Sequence, residues 1–187
     1  MGCGGSHEAD SEELVMRKDV MIAAKANDLA AMRKAIQALD DAFGDPEKTK
    51  ESFGMWDPED GTYATKENSE INDKDGAGMR FMMPLKWAAY HGNAEMCKLI
   101  VERGGEVDSD CFFDPARRGK FMPSGGVPAL SVAAMAGDLS TVKYLVEEAG
   151  ADLTHADFGG NAAADHAGIM GNSVVQKYLW AKMKEGK

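Results

Sequence analysis

The sequence predicts an all-α solenoid of about four helix–turn–helix repeats with two loop insertions, on three observations. Short apolar segments recur along the chain, each is followed by a second apolar segment, and a Gly or Asn separates the two in one register. Residues 84–92 read PLKWAAYHG, 129–137 read ALSVAAMAG and 163–171 read AADHAGIMG; an earlier copy, DVMIAAKAN, spans 19–27. Self-similarity of this kind marks stacked units, none of which buries its apolar face alone.

In the first copy, Asn27 stands where Gly92, Gly137 and Gly171 stand later, and DLAAMRKAIQAL follows it. Either residue accepts the left-handed backbone that ends a helix. In the second copy, Pro84 suits a first helical turn, where its missing N–H has no partner in any case. The pairs Ala23-Ala24, Ala88-Ala89 and Ala133-Ala134 allow two helices to approach closely. The second helices carry apolar residues at helical spacing: Met96, Leu99 and Ile100 in one, Val142, Leu145 and Val146 in the next. From Gly137 to Gly171 is 34 residues, from Gly92 to Gly137 is 45, and from Asn27 to Gly92 is 65. The longer intervals place one insertion at 41–78 and another at 109–122. The repeats then fall near 13–40, 79–108, 123–154 and 157–185, after a leader at 1–12. A structureless stretch as long as 41–78 is uncommon inside a compact domain and is usually functional or disordered.

The segments PLKWAAYHGNAEMCKLIVERGGEVD and ALSVAAMAGDLSTVKYLVEEAGADLT resemble the ankyrin repeat. DFGGNAAADHAGIMGN, which keeps Asp157 and Gly160, resembles a final one. The resemblance covers about two-thirds of the chain. The family's Thr and His are absent, and Lys86, Ser131 and Asp165 stand where its His would be. The resemblance implies an ankyrin-repeat solenoid that holds a protein partner on its concave face. The helix positions it assigns to that face are Tyr90 with His91, Met135 with Ala136, and Ile169 with Met170. The finger positions are Arg80, Met82, Val127, Phe158 and Asn161. An apolar row facing water marks a binding site, and Met and Tyr suit one. The alternative is that the insertion, with Phe53, Met55, Trp56 and Tyr63, folds back over the row. The second insertion sets Arg117, Arg118 and Lys120 beside Phe112, Phe113 and Phe121, a secondary contact for an acidic partner or anionic lipid.

Composition narrows the function. The net charge of −10 and pI near 4.9 exclude the nucleic-acid backbone as a general partner. Three cysteines without metal-ligand spacing point to a reducing, intracellular compartment and to no bound metal. DKDG at 73–76 fails as a calcium loop, since Gly76 at the sixth position would put Ile71 and Met82 at ligand positions. RRGKF lacks the upstream Gly and the Ser/Thr of a phosphate loop. His91 and His166 sit on separate helices, and structural roles are expected for both. The sequence therefore predicts no catalytic residue, no cofactor and no small-molecule substrate.

The first residues, MGCGGS, match Met-Gly-x-x-x-Ser, the pattern for myristoylation of Gly2. Cys3 is placed for a second, thioester-linked acyl chain. One myristoyl chain binds a bilayer only marginally, with a constant on the order of 10⁴ M⁻¹. His7, Glu8, Asp10, Glu12 and Glu13 follow with no Lys or Arg, so Cys3 would carry the anchoring. The expectation is a eukaryotic adaptor on the cytoplasmic face of a membrane. The alternative is a soluble cytoplasmic subunit of a larger assembly, docking through its two insertions.

Overall fold

The computed structural model describes residues 19–44, 84–108, 127–157 and 159–185, and every described regular element is helical. Helix α1 covers 19–25 and α2 Leu29–Phe43. Helices α3 (Pro84–Tyr90) and α4 (Ala94–Glu102) form the next pair, followed by α5 (Ala129–Ala136) with α6 (Leu139–Glu147) and α7 (Ala163–Ile169) with α8 (Ser173–Glu185). The leader, most of the first insertion and residues 109–126 lie outside the described residues.

Each turn is built by two local devices. The turn residue takes positive φ, at 54° for Asn27, 67° for Gly92, 80° for Gly137 and 79° for Gly171. In the first three pairs the side chain of the residue after it then caps the second helix. Asp28 accepts from the Ala31 N–H at 2.9 Å, Asn93 from Met96 at 2.9 Å and Asp138 from Thr141 at 2.7 Å. Such a cap stabilises a helix by about 1 kcal/mol. Helix α7 is closed differently, by Asp165 accepting the Ala162 N–H at 3.0 Å.

The pairs stack in parallel layers. Helix α5 packs between α3 and α7, while α6 packs on α4 and α8. The close approach rests on Ala88, Ala89, Ala133 and Ala134, all fully buried. Met96, Ile100, Leu130, Val142, Leu145, Val175 and Leu179 fill the space between layers. Burying one such large side chain stabilises the fold by roughly 1.5–3 kcal/mol. The first pair is tied on by polar groups: Asn93 Nδ2 donates to Asn27 Oδ1 at 2.8 Å, Arg33 donates to Glu95 at 2.6 Å, and Arg103 forks onto Asp40.

The turns also stack on one another. A Cβ on Gly92 would meet the Asp138 side chain at 2.9 Å, and one on Gly137 would meet Asn172 at 2.8 Å. Asn172 is fixed there by donating Nδ2 to the Ala134 and Met135 carbonyls, at 2.9 and 2.8 Å. The cap residue of each later repeat thus seals the turn of the one before it.

Candidate protein-binding site

The inner helices end in the residues that the sequence assigns to partner contact. Tyr90 closes α3 and is 42% exposed. Met135 lies in the last turn of α5 and is half-buried against the core, with Ala136 exposed beside it. Ile169 ends α7, and it and Met170 are 70% and 58% exposed. Val127 and Asn161, which precede the inner helices, are half-buried. Arg80, Met82 and Phe158 lie outside the described residues, as do Arg117, Arg118, Lys120, Gly2 and Cys3.

Tyr90 stands in an aromatic cluster. The Trp87 ring meets it edge-on at 6.0 Å and stacks on His91 at 6.1 Å with 25° between planes; Tyr90 and His91 are 5.3 Å apart. Residues 87, 90 and 91 have i, i+3, i+4 spacing, so one helix brings them together. The preceding repeat locks the arrangement: His91 Nε2 is 3.0 Å from the Lys25 carbonyl, and Lys25 Nζ sits 5.6 Å from the Trp87 ring centroid. A stiff aromatic with an exposed edge loses little entropy on binding, which suits it to anchor a partner. Trp87 and Lys25 were not assigned from the sequence. The aromatic spacing was a readable signal for Trp87, whereas the Lys25 contact crosses repeats and left none.

At the start of the last repeat, Asp157 Oδ1 accepts from the Gly159 N–H at 2.8 Å and the Asn161 N–H at 2.9 Å. His166 Nε2 lies 3.1 Å from Asp157 Oδ2. Burial alone would raise the Asp157 pKa, but the hydrogen bonds from Asn161 and Gly159 outweigh it and hold the carboxyl below its usual value. The backbone donors of Gly159 and Asn161 thus keep a hydrogen-bonded start to the repeat without the family's Thr and His, and the imidazole of His166 lies beside Asp157, one residue later than the pattern places it. His91 Nε2 meets the Lys25 carbonyl, whereas His166 Nε2 is buried beside Asp157 without a hydrogen-bond partner.

Cys97 is buried, and burial, reinforced by the charge of Asp138, pushes its thiol up to about 12. That is the opposite of an activated nucleophile. Among the described residues no group of three or more His, Cys, Asp or Glu is arranged to hold a metal. None of the described helices is long and apolar enough to cross a membrane. What the site offers is an apolar, partly aromatic surface.

A family model for ankyrin repeats (3 copies) matches residues 20–157 and 85–184. The fold is also similar to a chain in the crystal structure of the yeast ribosomal protein Rps3 in complex with its chaperone Yar1. That match has a TM-score of 0.56 at 20% identity and covers 89% of this chain and 91% of that one. The chain belongs to the ankyrin-repeat family, which in general serves as a non-catalytic protein-interaction module.

Proposed function

We propose that this ankyrin-repeat protein is a non-catalytic adaptor that captures a protein partner along the row Tyr90, Met135 and Ile169. The observation that carries the reading is the exposure of Tyr90 and Ile169 at one register position of the inner helices, where Met135 is half-buried, with Tyr90 held rigid by Trp87 and His91. Arg80, Met82, Val127, Phe158 and Asn161 would flank the row as finger contacts, and Arg117, Arg118 and Lys120 would add a secondary contact. The similar yeast structure, a complex of a ribosomal protein with its chaperone, is one instance of the protein binding this reading assigns here.

The adaptor is tethered to a cytoplasmic membrane face by acyl chains on Gly2 and Cys3. MGCGGS supports that part, and the intact mass of the protein from eukaryotic cells tests it. Myristate on Gly2, with a hydroxylamine-labile group lost in Cys3→Ser, is expected; an unmodified Gly2 rejects the tether and leaves the groove standing. The groove is tested by Tyr90→Ala combined with Met135→Ala. Partner capture should fall by about 30-fold. Thermal unfolding should move little, because Tyr90 is exposed and Met135 only half-buried. Loss of folding in step with binding would make the row part of the core and end the proposal.

A further inference from the structure

The last repeat carries a second surface, on α8, that no other described element covers. Tyr178 donates to Glu147 at 2.9 Å, and Lys182 lies 3.3 Å from the same carboxylate, so this side of α8 faces α6. Val175 and Leu179 are buried. Lys177, Trp180 and Lys184 follow i, i+3, i+7 spacing and form an exposed stripe on another side. Trp180 is 47% exposed.

The repeat register says what this surface is shaped to meet. The basic residue six positions after each turn residue reaches the following repeat. Arg33 pairs with Glu95 at 2.6 Å, Lys98 with Glu148 at 3.8 Å, and Lys143 lies 5.9 Å from the Tyr178 ring. Lys177 holds that position in the last repeat. Nine positions after the turn, Ile36 is buried, and Val101 and Val146 are half-buried against the core; Trp180 holds that position. The turns at Gly92 and Gly137 are filled by the next cap residue, whereas a Cβ at Gly171 would meet nothing within 4 Å. Seat and cation are repeated from the internal interfaces, Trp180 holds an apolar position that is buried or half-buried in the other repeats, and in the last repeat no described helix covers them.

We propose that the end face formed by Gly171, Lys177 and Trp180 docks an amphipathic α-helix of a protein partner. That helix places an Asp or Asn cap over Gly171, an apolar residue on Trp180 and a carboxylate against Lys177. This surface is separate from the Tyr90 row and does not depend on it.

A labelled peptide of residues 138–150, hydrocarbon-stapled through positions 143 and 147, supplies such a helix. Its Asp138 cap and Glu148 already meet the preceding repeat in this way. Titrated with the full chain, it should show saturable fluorescence anisotropy. Trp180→Asp should weaken binding by about 30-fold. Lys177→Glu should weaken it by about fivefold, and a Glu148→Lys peptide should restore that loss. Circular dichroism checks that both variants stay folded, and Lys177→Glu alters only an exposed side chain. The Tyr90→Ala, Met135→Ala variant should bind the peptide normally, which separates failure here from failure of the groove. Absent saturation, or equal binding by both end-face variants, overturns the proposal. So does self-association in sedimentation velocity that Trp180→Asp abolishes, which would make the face a contact between copies. Trp180-dependent flotation with phosphatidylserine vesicles, without peptide binding, would assign it to lipid and overturn the proposal as well.

Discussion

The internal repeats and the last repeat share one pattern and differ in what faces them. In the internal repeats each turn glycine is covered by the following cap, the basic residue of the second helix reaches a neighbour, and the apolar position beyond it is half-buried. In the last repeat the same three positions are open. The interior also differs. Where the internal repeats carry Ala89 with Cys97 and Ala134 with Val142 at two register positions, the last carries Gly168 with Gln176. A Cβ on Gly168 would lie 2.2 Å from Gln176 Nε2, so the missing methyl is what admits the larger polar side chain. The same register therefore serves as sealed core in the middle of the stack and as accessible surface at its end.

The internal and last repeats differ most sharply at the turns. Gly137→Ala adds a methyl both at φ 80° and against Asn172, which cannot swing aside without releasing two carbonyls. It should destabilise the fold by about 3 kcal/mol. Gly171→Ala has nearly the same φ with open space, and should lose only about 1 kcal/mol. Urea unfolding of the two variants measures the difference, and equal losses would mean that turn stacking contributes nothing.

Thiol accessibility gives an intermediate effect. Cys97 and Gln176 occupy the same register. In a Cys3→Ser, Cys111→Ser background, Cys97 should react with a thiol reagent more than about 100-fold slower than an unfolded control, given burial and a pKa of about 12. Gln176→Cys, with Cys97→Ser, should react much faster, since the last repeat leaves that position half-buried.

The smallest effect is on acid stability. Asp138 would be raised by burial, but hydrogen bonds from Ser140 and Thr141 hold its pKa below the ordinary value. A depressed folded pKa means that its stabilisation is complete above the unfolded carboxylate pKa of about 3.9, and is lost as pH falls through the lower folded value. Asp138→Asn, which copies the Asn172 of the last repeat, should flatten stability in that acid window. With solvent screening the change should be below about 1 kcal/mol, read from denaturation at pH 3 and pH 5.

What the sequence disclosed is what short-range physics controls. Asn27, Gly92, Gly137 and Gly171 mark the turns because the left-handed backbone is a property of the residue itself. Paired alanines and helical apolar spacing disclosed the stacked pairs for the same reason. The turn-on-turn seal, the Lys25–Trp87–His91 contact and the half-burial of Met135 depend on groups from different repeats, which spacing within one repeat does not encode. The open state of Trp180 was hidden as well, since its register matches the packed Val101 and Val146. The His166–Asp157 contact was missed because the resemblance placed the imidazole one residue earlier.

The row at the ends of the inner helices is the central functional claim, and site-specific photo-cross-linking tests it most directly. A benzophenone amino acid replaces Tyr90 or Ile169 in the full chain in eukaryotic cells, with exposed Glu106 as the control position. One discrete protein adduct is expected at both row positions, absent at 106 and diminished by Met135→Asp. A cross-link confined to the chain's own residues 45–83 would contradict it, because the insertion would then cover the row.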